Sequence, residues 1–173
     1  MTVRLRAAAL SGLLALGGCG DGHSVASGVT ARAHGYEGTA RFTSCVPFAR
    51  EVSGISLGGD AWQWWDAAAG IYARDDHPQV GSLLVLRRTS RLRDGHLSVV
   101  TQVVSSREIR VDHANWASGR LKGLVARAQP VIDVSPNNDW TAVRVWYPPA
   151  GVVGSTVFPS YGFIHHDLLQ AAR

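Results

Sequence analysis

The sequence predicts an α+β domain in which N-terminal helices pack on an antiparallel β-sheet. Helix signals come first along the chain, and short β-branched segments separated by turn residues follow from Pro78 onward. The absence of strand–helix–strand alternation disfavours a parallel sheet. The chain has 173 residues and 46% hydrophobic content, which fits one globular domain and makes a second large domain unnecessary.

Two helices are predicted at the start of this domain. Ser44 can serve as the N-cap of a helix over residues 45–53, and Gly54 supplies its stop. Asp60 can cap a second helix over residues 61–69. The first helix therefore carries a cysteine at its N-terminus.

Short segments rich in β-branched residues predict the strands of the sheet. These segments are residues 80–86, 97–104, 108–113 and 142–146. If the second and third segments form a hairpin that turns at residues 105–106 with a two- or four-residue loop, His96 faces Asn115, and His113 lies on the same face. A three-residue loop would move Asn115 to the opposite face. The predicted proximity of these polar residues therefore depends on the turn.

Composition and charge argue against two classes of protein. Charged residues make up 17% of the chain, below the roughly 25% of typical globular proteins, and the hydrophobic content is ordinary, so a disordered chain is a poor interpretation. The pI of about 9.6 comes from scattered arginines rather than from a long basic block. We therefore expect no nucleic acid among the partners.

Residues 1–18 are predicted to be a lipoprotein-type signal peptide. Two arginines precede a run of small apolar residues that is too short to span a bilayer as a stable helix. The run ends in Leu16-Gly17-Gly18-Cys19, which resembles a bacterial lipobox and implies that Cys19 carries the lipid. An ordinary secretory signal that is cut later, with Cys19 there by chance, is the alternative. With Gly20 next to the cysteine, we expect an exported, periplasmic protein that a lipid anchors to the outer membrane.

The remaining chain divides into three predicted parts. Residues 19–35 are rich in glycine and small polar residues and form a flexible tether. Residues 36–150 form the folded domain. Residues 151–173 are a C-terminal extension that we expect to dock on the domain.

Cys45 is the candidate nucleophile. If Cys19 is lipidated, Cys45 has no partner for a disulfide bond in an oxidising compartment. Unsatisfied N–H groups and the positive end of the dipole at a helix start favour the thiolate. A nucleophilic thiol also needs a base, and His96, at the start of a predicted strand, is the best placed imidazole.

Five short motifs follow one another along the chain. They are Ser44-Cys45-Val46-Pro47-Phe48-Ala49-Arg50, Gly59-Asp60-Ala61 with Trp64-Trp65, Gly81-Ser82-Leu83-Leu84-Val85-Leu86, Gly95-His96-Leu97-Ser98-Val99-Val100 and His113-Ala114-Asn115-Trp116. In this order they resemble the CHAP domain over residues 36–148. CHAP domains are cysteine- and histidine-dependent amidohydrolases or peptidases of bacterial cell walls and belong to the papain-like superfamily. The resemblance therefore implies a papain-like CHAP fold.

The resemblance also implies a role for three side chains. Cys45 would be the nucleophile, His96 the base, and Asn115 the residue that orients His96. Many relatives carry an acidic residue two positions before the asparagine, where this chain has His113. A neutral amide supports an imidazolium less than a carboxylate would, so the identity of the third residue stays open.

The implied reaction is cleavage of an amide bond in peptidoglycan through a thiol acyl-enzyme. The bond is either the N-acetylmuramoyl-L-alanine amide or one within the peptide. His113, Ser44 and Tyr36 are expected to line the site, and the last two are candidates for the second oxyanion donor. The separations of Cys45, His96 and His113 do not match a recognised zinc spacing, so we expect no metal and no cofactor.

Peptidoglycan and, through the lipid, the membrane are the expected partners. The alternative function is a non-catalytic lipoprotein that keeps the fold and serves as a wall-binding or scaffold protein.

Overall fold

A computed structural model describes residues 42–169 of the chain. The predicted signal peptide (1–18), the lipidation site Cys19, the tether (19–35) and Tyr36 lie outside the described residues. No helix in the described part of the chain is long and apolar enough to cross a membrane.

The described residues contain two short α-helices, two 3₁₀ turns and eight strands. The helices are α1 (Cys45–Ser53) and α2 (Trp64–Ala67), and the 3₁₀ turns are Ala61–Gln63 and Gly119–Leu121. The strands are β1 (Tyr72–Asp75), β2 (Leu83–Leu86), β3 (His96–Ser105), β4 (Glu108–Ala114), β5 (Val125–Asp133), β6 (Ala142–Tyr147), β7 (Val152–Val153) and β8 (Phe158–Leu168).

The first predicted helix is confirmed as α1. Gly54 ends it in a left-handed conformation, with φ at 72°, and donates its N–H to the carbonyl of Arg50 at 3.1 Å. Ser44 has the extended backbone of an N-cap, but its side chain makes no capping hydrogen bond. The hydroxyl of Ser44 is therefore not used to start the helix.

The second predicted helix is shorter than expected. A 3₁₀ turn is followed by a single turn of α-helix, and the backbone N–H of Asp60 donates to Oε1 of Gln63 at 2.8 Å at its start. The tryptophan that it buries completely is Trp64, whereas Trp62 and Trp65 are only partly buried. Helical spacing alone does not identify the buried face here because the helix lasts for only one turn.

The strands form one antiparallel sheet that closes on itself. The order is β1-β8-β2-β3-β4-β5-β6-β7, and β8 also pairs with β6. Strands β8, β2, β3, β4, β5 and β6 thus form a barrel-like ring. The α+β prediction is confirmed in its mixed helix and strand content, but the expected picture of N-terminal helices packed on a sheet is not, because strands dominate the fold and the helices are short.

Two long strands were not predicted. Strand β5 contains Pro130 and a bulge residue, Ala128, with φ at 50°. Strand β8 contains Pro159 and Gly162, and it lies between β1 and β2 in the sheet. The C-terminal part of the chain therefore supplies a strand within the sheet. Proline and glycine interrupt the local strand pattern, and pairing with distant strands provides the hydrogen bonds that the local sequence does not reveal.

The hairpin of β3 and β4 has the predicted register where it matters for the polar residues. Val99 pairs with Asp112 and Val100 with Val111. The turn itself lies one residue later than predicted, because Ser105 pairs with Glu108, and two irregularities in the ladder restore the register. The start of β3 and the end of β4 therefore lie side by side.

Strand β2 and the first half of β3, residues 96–100, are buried on both faces, which gives two clusters of core residues. One cluster combines residues of the helical segments, among them Phe48 and Trp64, with one face of the strands, and the other lies among the strands of the ring. Successive residues of β2 alternate between the two clusters, as the twofold period of a strand requires. This double burial holds the start of β3 rigidly against α1.

Replacing Phe163 with alanine is expected to lower the free energy of unfolding by about 3–5 kcal/mol, because the side chain is fully buried in β8 and packs edge-on against Trp140. Urea denaturation followed by tryptophan fluorescence measures the loss. Val157→Ala, at an exposed position just before β8, is the control and should change stability by less than about 0.5 kcal/mol. Equal, small effects of both substitutions would contradict the central place of β8.

Candidate active site

A cleft of about 450 Å³ opens beside the N-terminus of α1. Its lining includes Ser44, Cys45, His96 and Asn115, which the sequence analysis singled out. The backbone N–H of Leu97, the residue after His96, interacts with the Cys45 thiol. The start of α1, the start of β3 and the end of β4 thus meet at one cleft.

Gly95 allows the chain to bring His96 close to the helical segment. Its φ of 67° lies in the left-handed region, and a Cβ at this position would lie 2.7 Å from both the carbonyl oxygen of Leu86 and the backbone nitrogen of Trp62. Both obstructing atoms belong to backbone, which cannot move aside as a flexible side chain can. Only glycine therefore fits before His96 without displacing β3.

His96 contacts His113, not Asn115. Nε2 of His96 lies 3.1 Å from Nδ1 of His113, and the side chains are buried, with exposures of 3% and 0%. Because this contact occupies Nε2, Nδ1 is the nitrogen of His96 that is left for proton transfer. When Nδ1 is the acceptor, Nε2 carries the proton of neutral His96 and donates it to His113.

Asn115 makes a different contact from the one we expected. Its backbone has φ at 60°, which turns the chain away from the strand direction directly after β4. Its Oδ1 accepts a hydrogen bond from the backbone N–H of Gly123 at 3.0 Å. The expected contact, in which this amide oxygen holds the imidazole of His96, is replaced by the contact between the two histidines.

The indole of Trp116 packs against both histidines. Its ring lies 5.4 Å from the ring of His113, nearly parallel at 24°, and 4.9 Å from the ring of His96. Nε1 of Trp116 donates to the carbonyl of Trp146 at 3.0 Å, which fixes the indole. No local sequence pattern predicted this packing of Trp116 on the imidazoles.

Burial determines the protonation of both imidazoles. Desolvation lowers the pKa of His96 from 6.5 to about 3. Burial also lowers the pKa of His113 well below its usual value, and the charge that His96 carries when protonated adds to this effect. Both rings are therefore neutral near pH 7. Nε2 of His113 is buried and has no hydrogen-bond partner among residues 42–169.

Burial also outweighs the helix start in its effect on Cys45. Desolvation raises the pKa of the thiol, and the charge of Asp94 raises it further. The backbone N–H groups of Leu97, Cys45 and Val46 lower it, but by less. The helix N-terminus therefore favours the thiolate, as expected, but burial has the larger effect and the pKa of the Cys45 thiol is raised. The resting site holds a neutral thiol and a neutral imidazole.

One group of side chains in residues 42–169 has the spacing to hold a metal ion. It consists of Asp75, Asp76 and His77, all exposed, with ligand atoms within 4.8 Å of one another. Exposed acidic residues commonly adopt such spacing without binding a metal, and none of the three residues lines the cleft.

Comparison with known proteins identifies the domain. Residues 34–115 match the family model of the CHAP domain. The chain contains a CHAP domain. The matched segment includes Cys45, His96, His113 and Asn115, whereas strands β5 to β8 follow it in the chain. No curated protein matches the chain.

CHAP domains are generally cysteine- and histidine-dependent amidohydrolases or peptidases. The family therefore points to an amidase or peptidase of the peptidoglycan-hydrolase type, with peptidoglycan as the implied substrate. In this CHAP domain the imidazole in the cleft is supported by a second imidazole.

The two buried histidines make the stability of the CHAP domain depend on pH. Their folded-state pKa values lie below the unfolded value of 6.5, so the unfolded chain binds more protons in acid. Stability is fully present above about pH 6.5 and falls as the pH drops toward about 3, by about 1.4 kcal/mol per pH unit for each imidazole that stays neutral. Urea denaturation at several pH values between these limits measures the slope.

His113→Gln removes one of these groups and should make the pH dependence shallower. His77→Gln, at an exposed position, is the control for loss of a histidine. Identical slopes for wild type and His113→Gln would contradict the assignment of a buried, neutral His113.

Proposed function

We propose that this CHAP domain hydrolyses an amide bond of peptidoglycan through an acyl-enzyme on Cys45. The observation that carries the proposal is a single cleft lined by the thiol of Cys45 and by His96, whose Nε2 is occupied by His113. In this arrangement Nδ1 of His96 can accept a proton, and Sγ of Cys45 can form a bond to a carbonyl carbon. The papain-like relationship that the sequence motifs imply is part of this proposal.

Acylation begins from neutral groups. Nδ1 of His96 takes the thiol proton while Sγ of Cys45 attacks the carbonyl carbon, and a tetrahedral intermediate forms. His96 then gives that proton to the nitrogen of the scissile amide, the C–N bond breaks, and the amine leaves. The acyl group remains on sulfur as a thioester.

Hydrolysis of the thioester is the second half of the reaction, and His96 again acts first as a base. His96 removes a proton from water as the water oxygen attacks the thioester carbon, and the C–S bond then breaks while His96 returns that proton to Sγ of Cys45. The products are a carboxylic acid and the regenerated thiol. The backbone N–H of Cys45, at the start of α1, is the oxyanion donor in this proposal, and a donor of this kind contributes on the order of 10²–10³ to the rate. Ser44, whose hydroxyl has no capping role, is the candidate for the second donor, and Tyr36 is the other.

We assign His113 the task of orienting His96. Nδ1 of His113 accepts a hydrogen bond from the protonated Nε2 of His96. The lone pair of His96 therefore stays on its own Nδ1. His113 cannot stabilise the imidazolium as a carboxylate would, so charge separation in the cleft is costly and attack must be coupled to proton transfer. Asn115 shapes the cleft through its left-handed backbone and its bond to Gly123.

The cleaved bond is either the N-acetylmuramoyl-L-alanine amide or a bond within the peptide. We further propose that residues 1–18 are removed on export and that a lipid on Cys19 anchors the protein in the periplasm, at the outer membrane. The tether of residues 19–35 would then give the domain reach toward the wall.

A second function is favoured by one observation, the neutral histidine at the position where many relatives carry an acid. A CHAP domain with a raised thiol pKa and no carboxylate beside its base could have become a wall-binding or scaffold protein. This alternative predicts binding to sacculi without cleavage.

Cys45→Ala should abolish the release of peptides and new amino groups from purified sacculi, because no acyl-enzyme can form. Mass spectrometry of the muropeptides measures the release and identifies the bond. Val52→Ala, on an exposed position of α1, is the matched control and should retain wild-type release. Undiminished release by folded Cys45→Ala would contradict the mechanism, and no release by the wild type would favour the binding alternative.

His113→Gln and His113→Glu separate a positioning role from a structural one. The glutamine variant should lower kcat by about 10- to 100-fold with little change in KM, because the orientation of the base is impaired. In the glutamate variant, a carboxylate beside His96 should raise the pKa of His96 and move the acid limb of the kcat/KM profile toward neutral pH. Stopped assays on a soluble muropeptide across the pH range measure both, and superimposable pH profiles for wild type and the glutamate variant would refute the role.

A further inference from the structure

Four arginines lie in the connection between β2 and β3, and two of them have structural partners. The four are Arg87, Arg88, Arg91 and Arg93. The guanidinium of Arg87 lies 4.3 Å from the ring centroid of Tyr161, and its Nε donates to the carbonyl of Ser160 at 2.9 Å. Arg88 lies 5.0 Å from the ring of Trp62. These two side chains hold the connection against the fold.

Arg91 and Arg93 differ from this pair. Both are exposed, and both line the cleft that contains Cys45 and His96. Within residues 42–169 neither guanidinium makes an ion pair or a hydrogen bond with another residue. Two arginines with rotamer-rich side chains thus stand at the proposed reaction site with their donors free.

Two carboxylates share the cleft with these two guanidinium groups. Asp60 and Asp94 also line the cleft. Asp60 is the N-cap of the 3₁₀ turn, and its backbone N–H donates to Oε1 of Gln63 at 2.8 Å. The charge of Asp94 acts on the thiol. Neither Arg91 nor Arg93 is ion-paired with a carboxylate within residues 42–169, so their donors are available to an anionic ligand.

We propose that Arg91 and Arg93 form an anion subsite of the cleft that selects substrates with a free carboxylate close to the scissile amide. This inference rests on the proposed function, because it places the carboxylate on the peptide that Cys45 attacks. The planar guanidinium presents its donors in a fork that matches the two oxygens of a carboxylate. The stem peptide of peptidoglycan supplies such carboxylates, and their conversion to amides removes the charge that the subsite recognises.

Binding to the Cys45→Ala variant tests the subsite without requiring turnover. Two synthetic stem peptides are compared by calorimetry, one with its side-chain carboxylates free and one with the same groups converted to amides. The free form should bind about 10- to 100-fold more tightly at low ionic strength, with the difference shrinking as salt is added. The additional Arg91→Gln and Arg93→Gln substitutions should remove this preference and leave binding of the amidated peptide unchanged.

Two further variants make the result specific. Lysine at both positions should restore part of the preference, because the charge returns without the fork. Arg144→Gln, at an exposed position of β6, is the matched control for loss of one positive charge and should preserve the preference. In the protein with Cys45 intact, the glutamine substitutions should raise KM for the free peptide while kcat stays near wild type.

Three results would overturn the subsite. They are equal affinity for the two peptides, no binding of either peptide, and a parallel loss of affinity for both peptides in the glutamine variants. Stronger competition by inorganic phosphate than by acetate at matched ionic strength would also overturn it, because the site would then select phosphate. Peptide selectivity in Cys45→Ala without any cleavage by the wild type would instead uphold the subsite and remove the proposed hydrolysis. The two proposals therefore fail separately.

Discussion

A contact of 3.1 Å between two buried imidazoles, those of His96 and His113, governs the chemistry of the cleft. Gly95 permits the close approach of backbone that brings His96 to the cleft, and the indole of Trp116 packs against both imidazoles. In this dry setting both rings lose their affinity for protons. Burial therefore removes the positive charge of His96, the proposed base, at neutral pH, and the proposed reaction must start from uncharged groups.

The thiol shows the same competition between local hydrogen bonding and desolvation. Cys45 is at a helix N-terminus, where the N–H groups of Cys45 and Val46 favour the thiolate, and Leu97 adds a third N–H from β3. Loss of hydration and the charge of Asp94 oppose these groups and prevail. A nucleophile with a raised pKa is stronger once formed but rarely formed at rest, so the proposed reaction makes it only as the substrate carbonyl arrives.

Local signals made part of the structure predictable. Helix α1 has a clear start and a glycine stop, and the register of β3 against β4 followed from alternation, even though the turn lies one residue later. Strand β8 could not be predicted in this way, because Pro159 and Gly162 interrupt its pattern and its hydrogen bonds come from strands far away in the sequence. The sheet closes only through such distant pairings, which explains why the barrel-like shape was missed.

The residues of the site could be predicted from the sequence, but not all of their contacts. The motifs identified Cys45 and His96, and alternation placed His113 and Asn115 on one face. Which of the last two contacts His96 depends on where β4 ends and on the left-handed backbone of Asn115, and neither property follows from a period of two. The pH dependence of alkylation of Cys45 by iodoacetamide, followed by peptide mass spectrometry, tests the central claim of a neutral resting pair most directly. The rate should stay low at neutral pH and rise only through a thiol pKa above the ordinary value, whereas a rate already at its plateau near pH 7 would reveal a thiolate–imidazolium pair and contradict the account.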